Sequence, residues 1–240
     1  MLAPPWLEVL DETIGGCVTH HRPDLADQLR ERRAQLLDPK LRVLVVGEAN
    51  QGKSQLVNAL AGASVCAVGD GPTTVSATVV QHAETPFAVL VPSSAADADL
   101  SAYRALASEP QRVSVPIERI AGRAGRDGGV ARTEVGIPRE LLAAGVILVD
   151  TPAIGEPSDI AGLSGADAVV FASDATHELS AAEMAVLAEI AQGCPNLIVA
   201  LTKIDIAPQW RDVAKRNREH LSNARMQVRL VPVSAELRLR

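Results

Sequence analysis

The chain has 240 residues, of which 47% are hydrophobic, enough to bury a full core within one large α/β domain. A formal net charge of -6 and an aromatic content of only 2% argue against a nucleic-acid partner, since bulk acidity repels a phosphate backbone and few rings remain for exposed bases to stack on. No apolar run approaches the roughly 20 residues that span a bilayer, the acidic, proline-containing start does not read as a secretory leader, and three cysteines without pairing or metal-ligand spacing fit a reducing cytoplasm.

From Pro5 to Leu37, apolar positions such as Trp6, Val9, Leu10, Leu25, Leu29 and Leu36 lie among many charges. They predict one or two amphipathic helices interrupted near Gly15-Gly16 and Pro23. The expected division is a helical segment over residues 1–38 and a nucleotide domain over 39–240. Leu41 to Val46 reads as a buried parallel strand, and Gly47-Glu-Ala-Asn50-Gln51-Gly52-Lys53-Ser54 follows at once, with a helix from Ser54 to Leu60. Ser76 to Gln81, Phe87 to Val91, Ala143 to Val149, Ala168 to Ala172 and Leu197 to Leu201 read as further strands, with a helix over Ala181 to Ala191. This alternation predicts an α/β fold, a doubly wound and mostly parallel sheet with helices on both faces and ligands at the strand carboxyl ends. Ser93 to Gly129, rich in Ala, Ser, Arg and Gly, reads as a helix plus a mobile loop.

The chemistry gathers at three strand ends. The glycine-rich loop sits between a strand and a helix, where its backbone N–H groups and the helix N-terminus point at phosphates and the glycines allow the turn. Gly47, Asn50, Gln51, Gly52, Lys53, Ser54 and Gln55 are its candidate binding residues; Lys53 neutralises β and γ oxygens, and the Ser54 hydroxyl ligates Mg²⁺. Asp150-Thr-Pro closes the second strand, where a carboxylate can hold the Mg²⁺ shell opposite Ser54. Between them, Gly71-Pro-Thr73-Thr74 offers a hydroxyl to Mg²⁺ and the attacking water, from either threonine. Thr202-Lys203-Ile-Asp205 ends the third strand: Asp205 accepts from guanine N1–H and its amine, a donor pair that adenine lacks, and Lys203 lays its stem over the base. Val231-Pro-Val-Ser234-Ala235 adds the Ala235 N–H for guanine O6. Ser173-Asp174 with His177 and Glu178 reads as a strand end and helix start, and His20-His21 as a helix-end pair.

The ordered set GEANQGKS, PTT, DTP, TKID and VSA is similar to the signature regions of translation-factor-class GTPases. Within that class the chain resembles the dynamin superfamily, and most closely the actinobacterial dynamin-like GTPases, including the isoniazid-inducible proteins of mycobacteria. The helical start, the long gap from Thr74 to Asp150 and the run Gly47-Glu-x-x-Gln51-Gly-Lys-Ser-x-Leu-Val-Asn58-Ala-Leu carry the resemblance. It implies GTP/GDP and Mg²⁺ as cofactors and GTP hydrolysis by Lys53, Ser54, Thr73 or Thr74 and Asp150. It also implies pairing across the nucleotide face, with itself or a related GTPase, and coupling through a helical neck and trunk to membrane remodelling at the inner face of the plasma membrane. Residues 1–38 would be one part of that neck; the trunk and membrane segments would lie beyond Arg240, in a domain cut short at its C-terminus. Ala153 stands where the family has a switch glycine, and Ala49 where eukaryotic dynamins place a polar residue that positions water, so slow turnover is expected. Two other readings are a weakly or non-hydrolysing GTP-regulated scaffold and a ribosome-associated GTPase of the Era or EngA kind. The latter calls for a basic RNA-binding appendage that this sequence does not show.

Overall fold

A computed structural model of the chain describes residues 5–68, 76–92, 113–116, 130–154 and 166–239. Thr73, Thr74, Gly155 and nearly all of Ser93 to Gly129 lie outside these residues. The chain forms two compact units that divide after Lys40.

In the first unit, α1 (Pro5–Thr19) and α2 (Pro23–Leu37) pack on each other, with Ile14 and Ala26 buried. An ion pair of 2.6 Å joins Arg33 to Asp11 across the helices. The expected interruption at Gly15-Gly16 does not occur, because α1 runs through both glycines. Interior glycines cost a helix only about 1 kcal/mol each, and packing along the helix offsets that. The break comes instead at His21, with a left-handed φ of 55°. Pro23 then starts α2, at a helix position where its missing N–H is harmless.

The second unit is a sheet with helices. Its strands are β1 (Leu41–Val46), β2 (Ala77–His82), β3 (Phe87–Pro92), β4 (Val113–Ser114), β5 (Val130–Ile137), β6 (Val146–Asp150), β7 (Ala168–Asp174), β8 (Leu197–Thr202) and β9 (Arg229–Pro232). Its helices are α3 (Lys53–Ala61), α4 (Glu140–Ala143), α5 (Ala181–Gly193), α6 (Trp210–Asn223) and α7 (Ala235–Leu239). Among the described residues the strands order as β4-β3-β5-β2-β6-β1-β7-β8-β9. From β6 through β1, β7 and β8 to β9 every pairing is parallel. β2 runs antiparallel to β6, β5 follows β2 in parallel, and β3 and β4 reverse again. The mostly parallel α/β sheet expected from the sequence is thus present, with an antiparallel junction at β2.

One face of the sheet packs Leu44, Val46, Val149, Phe171, Val199 and Leu201 against residues that include Val186, Leu187 and Ile190 of α5. The other packs Val45, Val80, Val135 and Leu148 against Leu56 and Val57 of α3. Three local departures from the expected elements have physical causes. Ala143 belongs to α4 rather than to a strand, and the left-handed Gly145, φ 93°, turns the chain into β6. β5, where sequence reasoning placed no element, hides its alternation because buried Arg132 and Glu134 pair with each other at 2.9 Å. α6 has charged residues on most of its surface and buries only Ala214, Asn217 and Leu221.

Candidate functional site

β1 delivers the glycine-rich loop and α3 leaves it. Gly47 has φ 144°, and a Cβ there would collide with the Ala172 carbonyl oxygen of neighbouring β7. Asn50 and Gly52 follow in left-handed conformations, φ 61° and 80°. A Cβ on Gly52 would lie 3.4 Å from the Thr202 hydroxyl. The loop is therefore folded against the ends of β7 and β8, and only residues that accept positive φ fit its apex.

Lys53, 6% exposed, donates from Nζ to the Glu48 carbonyl at 2.6 Å. Burial pulls its ammonium pKa below the ordinary lysine value, although the charges of Asp150 and Glu48 oppose that shift. Asp150, at the end of β6, is 1% exposed. Burial pushes its carboxyl up to about 6, against the hydrogen bond from Ser54, the Lys53 charge and the Cys66 thiol. Even so, among the described residues its Oδ1 atom has no hydrogen-bond partner of good geometry. A buried cation and a buried, half-satisfied carboxylate side by side are costly without a further ligand.

The segment after β6 is tied to the same loop. Thr151 donates from its hydroxyl to the Val45 carbonyl at 2.9 Å, and the Ile154 N–H donates to the Gly47 carbonyl at 3.0 Å. Ala153 lies between these anchors, exposed, and needs no positive φ, so alanine carries no backbone strain at that position.

The third strand end meets the loop from the other side. The Thr202 hydroxyl donates to the Gln51 carbonyl at 2.8 Å and lies 3.2 Å from that of Ser173. Lys203 is left-handed, φ 57°, and its ammonium pairs with Asp174 at 2.7 Å. Burial raises the Asp174 carboxyl, but Lys203 and the Thr176 N–H outweigh it and hold the group below its ordinary value. Asp205 is exposed beyond them. Ser234 accepts from the Leu237 N–H at 3.2 Å, Ala235 opens α7, and Gln55 of α3 reaches Glu236 at 3.3 Å. The loop, Asp150, Thr202-Lys203-Ile-Asp205 and Ser234-Ala235 therefore all stand at one end of the sheet.

Sequence reasoning assigned no role in positioning the site or its helix to three further residues. Asp174, read as an ordinary strand end, holds Lys203; the available signal was an acid closing one apolar strand and a lysine following another. His177 Nε2 lies 3.4 Å from Gln51 Nε2. Its Nδ1 faces the Glu178 carbonyl at 3.0 Å, so the hydrogen-bond pattern assigns the proton to Nδ1 and leaves Nε2 to accept from Gln51. Asn58, buried in α3, accepts from the N–H groups of Val65 and Cys66 at 2.9 and 2.7 Å and donates to the Cys66 carbonyl at 2.9 Å.

Comparisons with known proteins agree with this arrangement. Residues 43–203 match the dynamin family. The chain is 35% identical over 238 residues to the isoniazid-induced protein IniA of Mycobacterium tuberculosis, across 97% of this chain and 36% of that protein. It thus spans about a third of the length of the curated relatives it matches. Two structures of an oligomerised bacterial dynamin pair, described as a mechanism for long-range sensing and tethering of membranes, share the fold. Their TM-scores are 0.65 and 0.62 at 15% and 14% identity, over 97% and 100% of this chain and 39% and 48% of theirs. With the glycine-rich loop seated at the head of a mostly parallel sheet and the family matched over more than half of its length, this chain belongs to the dynamin family, as the GTPase domain of a bacterial dynamin-like protein.

Proposed function

We propose that the chain binds GTP and GDP and hydrolyses GTP. The observation that carries this reading is the burial of Lys53 and Asp150 beneath the glycine-rich loop, the first donating to the Glu48 carbonyl and the second with an Oδ1 that has no hydrogen-bond partner among the described residues. A phosphate chain answers the lysine and a divalent cation answers the carboxylate.

Lys53 would exchange the Glu48 carbonyl for β and γ oxygens, while loop N–H groups and the α3 N-terminus receive the phosphates. Gly47, Asn50, Gln51, Gly52 and Gln55 shape that cradle. Ser54 and Asp150 suit Mg²⁺, both being hard oxygen donors, with the Asp150 Oδ1 lacking a hydrogen-bond partner among the described residues, together with Thr73 or Thr74; when bound it spreads the charge that develops on the phosphates. Asp205 would select guanine, Lys203 would cover the base, and the Ala235 N–H, with Ser234 beside it, would meet O6. Catalysis then rests on positioning and electrostatics. With Ala49 in the loop the chain offers no polar side chain there to hold the attacking water, which supports slow turnover. In a longer protein this cycle would serve membrane remodelling at the inner face of the plasma membrane, through pairing of nucleotide faces.

The test is binding of fluorescent GDP and GTP with ATP as competitor. Wild type should prefer guanine by at least about a hundredfold, as a site built on substrate hydrogen bonds does, and Lys53→Ala should lose binding of both. Equal affinity for ATP would sink the guanine assignment, and tight binding by Lys53→Ala the phosphate assignment. Binding without turnover at high protein concentration would favour the non-hydrolysing scaffold.

A further inference from the structure

We infer that Asp174 is a positioning residue for guanine recognition, holding Lys203 stretched in place before the nucleotide arrives. This rests on the nucleotide reading above and adds a residue to it. β7 and β8 are parallel, with Asp174 in register with Thr202, so the carboxylate at the end of one strand lies beside the lysine that follows the other. The Ala175 N–H donates to the Thr202 carbonyl at 3.0 Å and ties the two backbones together.

Both oxygens of Asp174 are engaged. Oδ1 accepts from the Thr176 N–H at 2.8 Å, which orients the carboxylate independently of the lysine, and Oδ2 takes the Lys203 ammonium at 2.7 Å. The two side chains are 11% and 27% exposed, so this pair is not of the solvent-bathed kind that contributes almost nothing.

Lys203 is fixed at both ends. Its backbone sits in the left-handed region, with Thr202 bonded to the loop at Gln51, and its ammonium is tied to Asp174. The methylenes between form a pre-stretched apolar plate, whose rotamer entropy is lost before binding rather than during it. Asp174 also spends the ammonium's charge, so that Lys203 is drawn neither to the phosphates nor to Asp205. Asp174 itself touches no part of the nucleotide in this scheme.

The experiment compares GDP and GTP binding by wild type, Asp174→Asn, Lys203→Met and the double variant, with thermal melting as a check on folding. Asparagine keeps an acceptor for the Thr176 N–H and removes the charge; methionine keeps most of the lysine stem without its charge. Asp174→Asn should weaken GDP and GTP by a common factor of about ten, equivalent to about 1.4 kcal/mol, with the loss in Kd and KM rather than in kcat. In the Lys203→Met background the same change should have almost no effect. Wild-type affinity retained by Asp174→Asn, or a tenfold loss persisting beside Lys203→Met, overturns the inference while leaving nucleotide binding intact. Wild type that binds no guanine nucleotide overturns the proposed function, and this inference with it.

Discussion

Asp150 shows what burial does to a single carboxylate at the candidate site. Its carboxyl titrates near 6 because burial disfavours the charged form, well above the usual value for an aspartate. A raised acid favours the folded state most below the unfolded pKa of about 4, and that contribution disappears as pH rises through about 6. The nucleotide-free protein should therefore lose about 2–3 kcal/mol of stability from this group between pH 4 and 7. Urea unfolding across that range should show the Asp150→Asn variant losing less than wild type, and parallel curves would refute the assignment. Most of this site was legible because its spacing is local: Gly47, Gly52, Lys53 and Ser54 fall within one turn and one helix start. Asp174 and His177 were not, since their partners Lys203 and Gln51 come from elsewhere in the chain and meet them only once the strands are in register.

At the level of elements, the parallel core was readable from short β-branched runs that each end in a polar residue. β5 was not, because its interior holds an ion pair where a simple pattern expects apolar side chains, and the packing of β2 against β6 in antiparallel sense leaves no mark in the sequence. The exit of α3 depends on one side chain. Asn58 satisfies three backbone groups of Val65 and Cys66, and Gly62, left-handed at φ 67°, closes the helix by donating to the Asn58 carbonyl. Asn58→Ala should cost about 3 kcal/mol, because buried backbone groups lose partners that water cannot replace. Chemical denaturation measures this directly, and a loss below about 1 kcal/mol would mean the turn finds other partners.

For the whole molecule, the division after Lys40 separates a helical pair from the sheet unit that carries every described candidate site residue. A ligand that binds only the folded sheet unit should stabilise that unit alone, by about 2.7 kcal/mol at a hundredfold excess over Kd. Hydrogen exchange with and without GDP should show protection growing in β1, β6, β7 and β8 while α1 and α2 exchange as before. Equal protection of both units would show that they open together.

The antiparallel junction at β2 has a practical consequence. Because β2 opposes β6, the turn Glu84-Thr85-Pro86 that follows it lies at the far pole of the sheet from the glycine-rich loop, with all three residues exposed. A cysteine at Glu84 would therefore carry a fluorophore or surface tether on the connection between β2 and β3, at a distance from the glycine-rich loop and from Asp205.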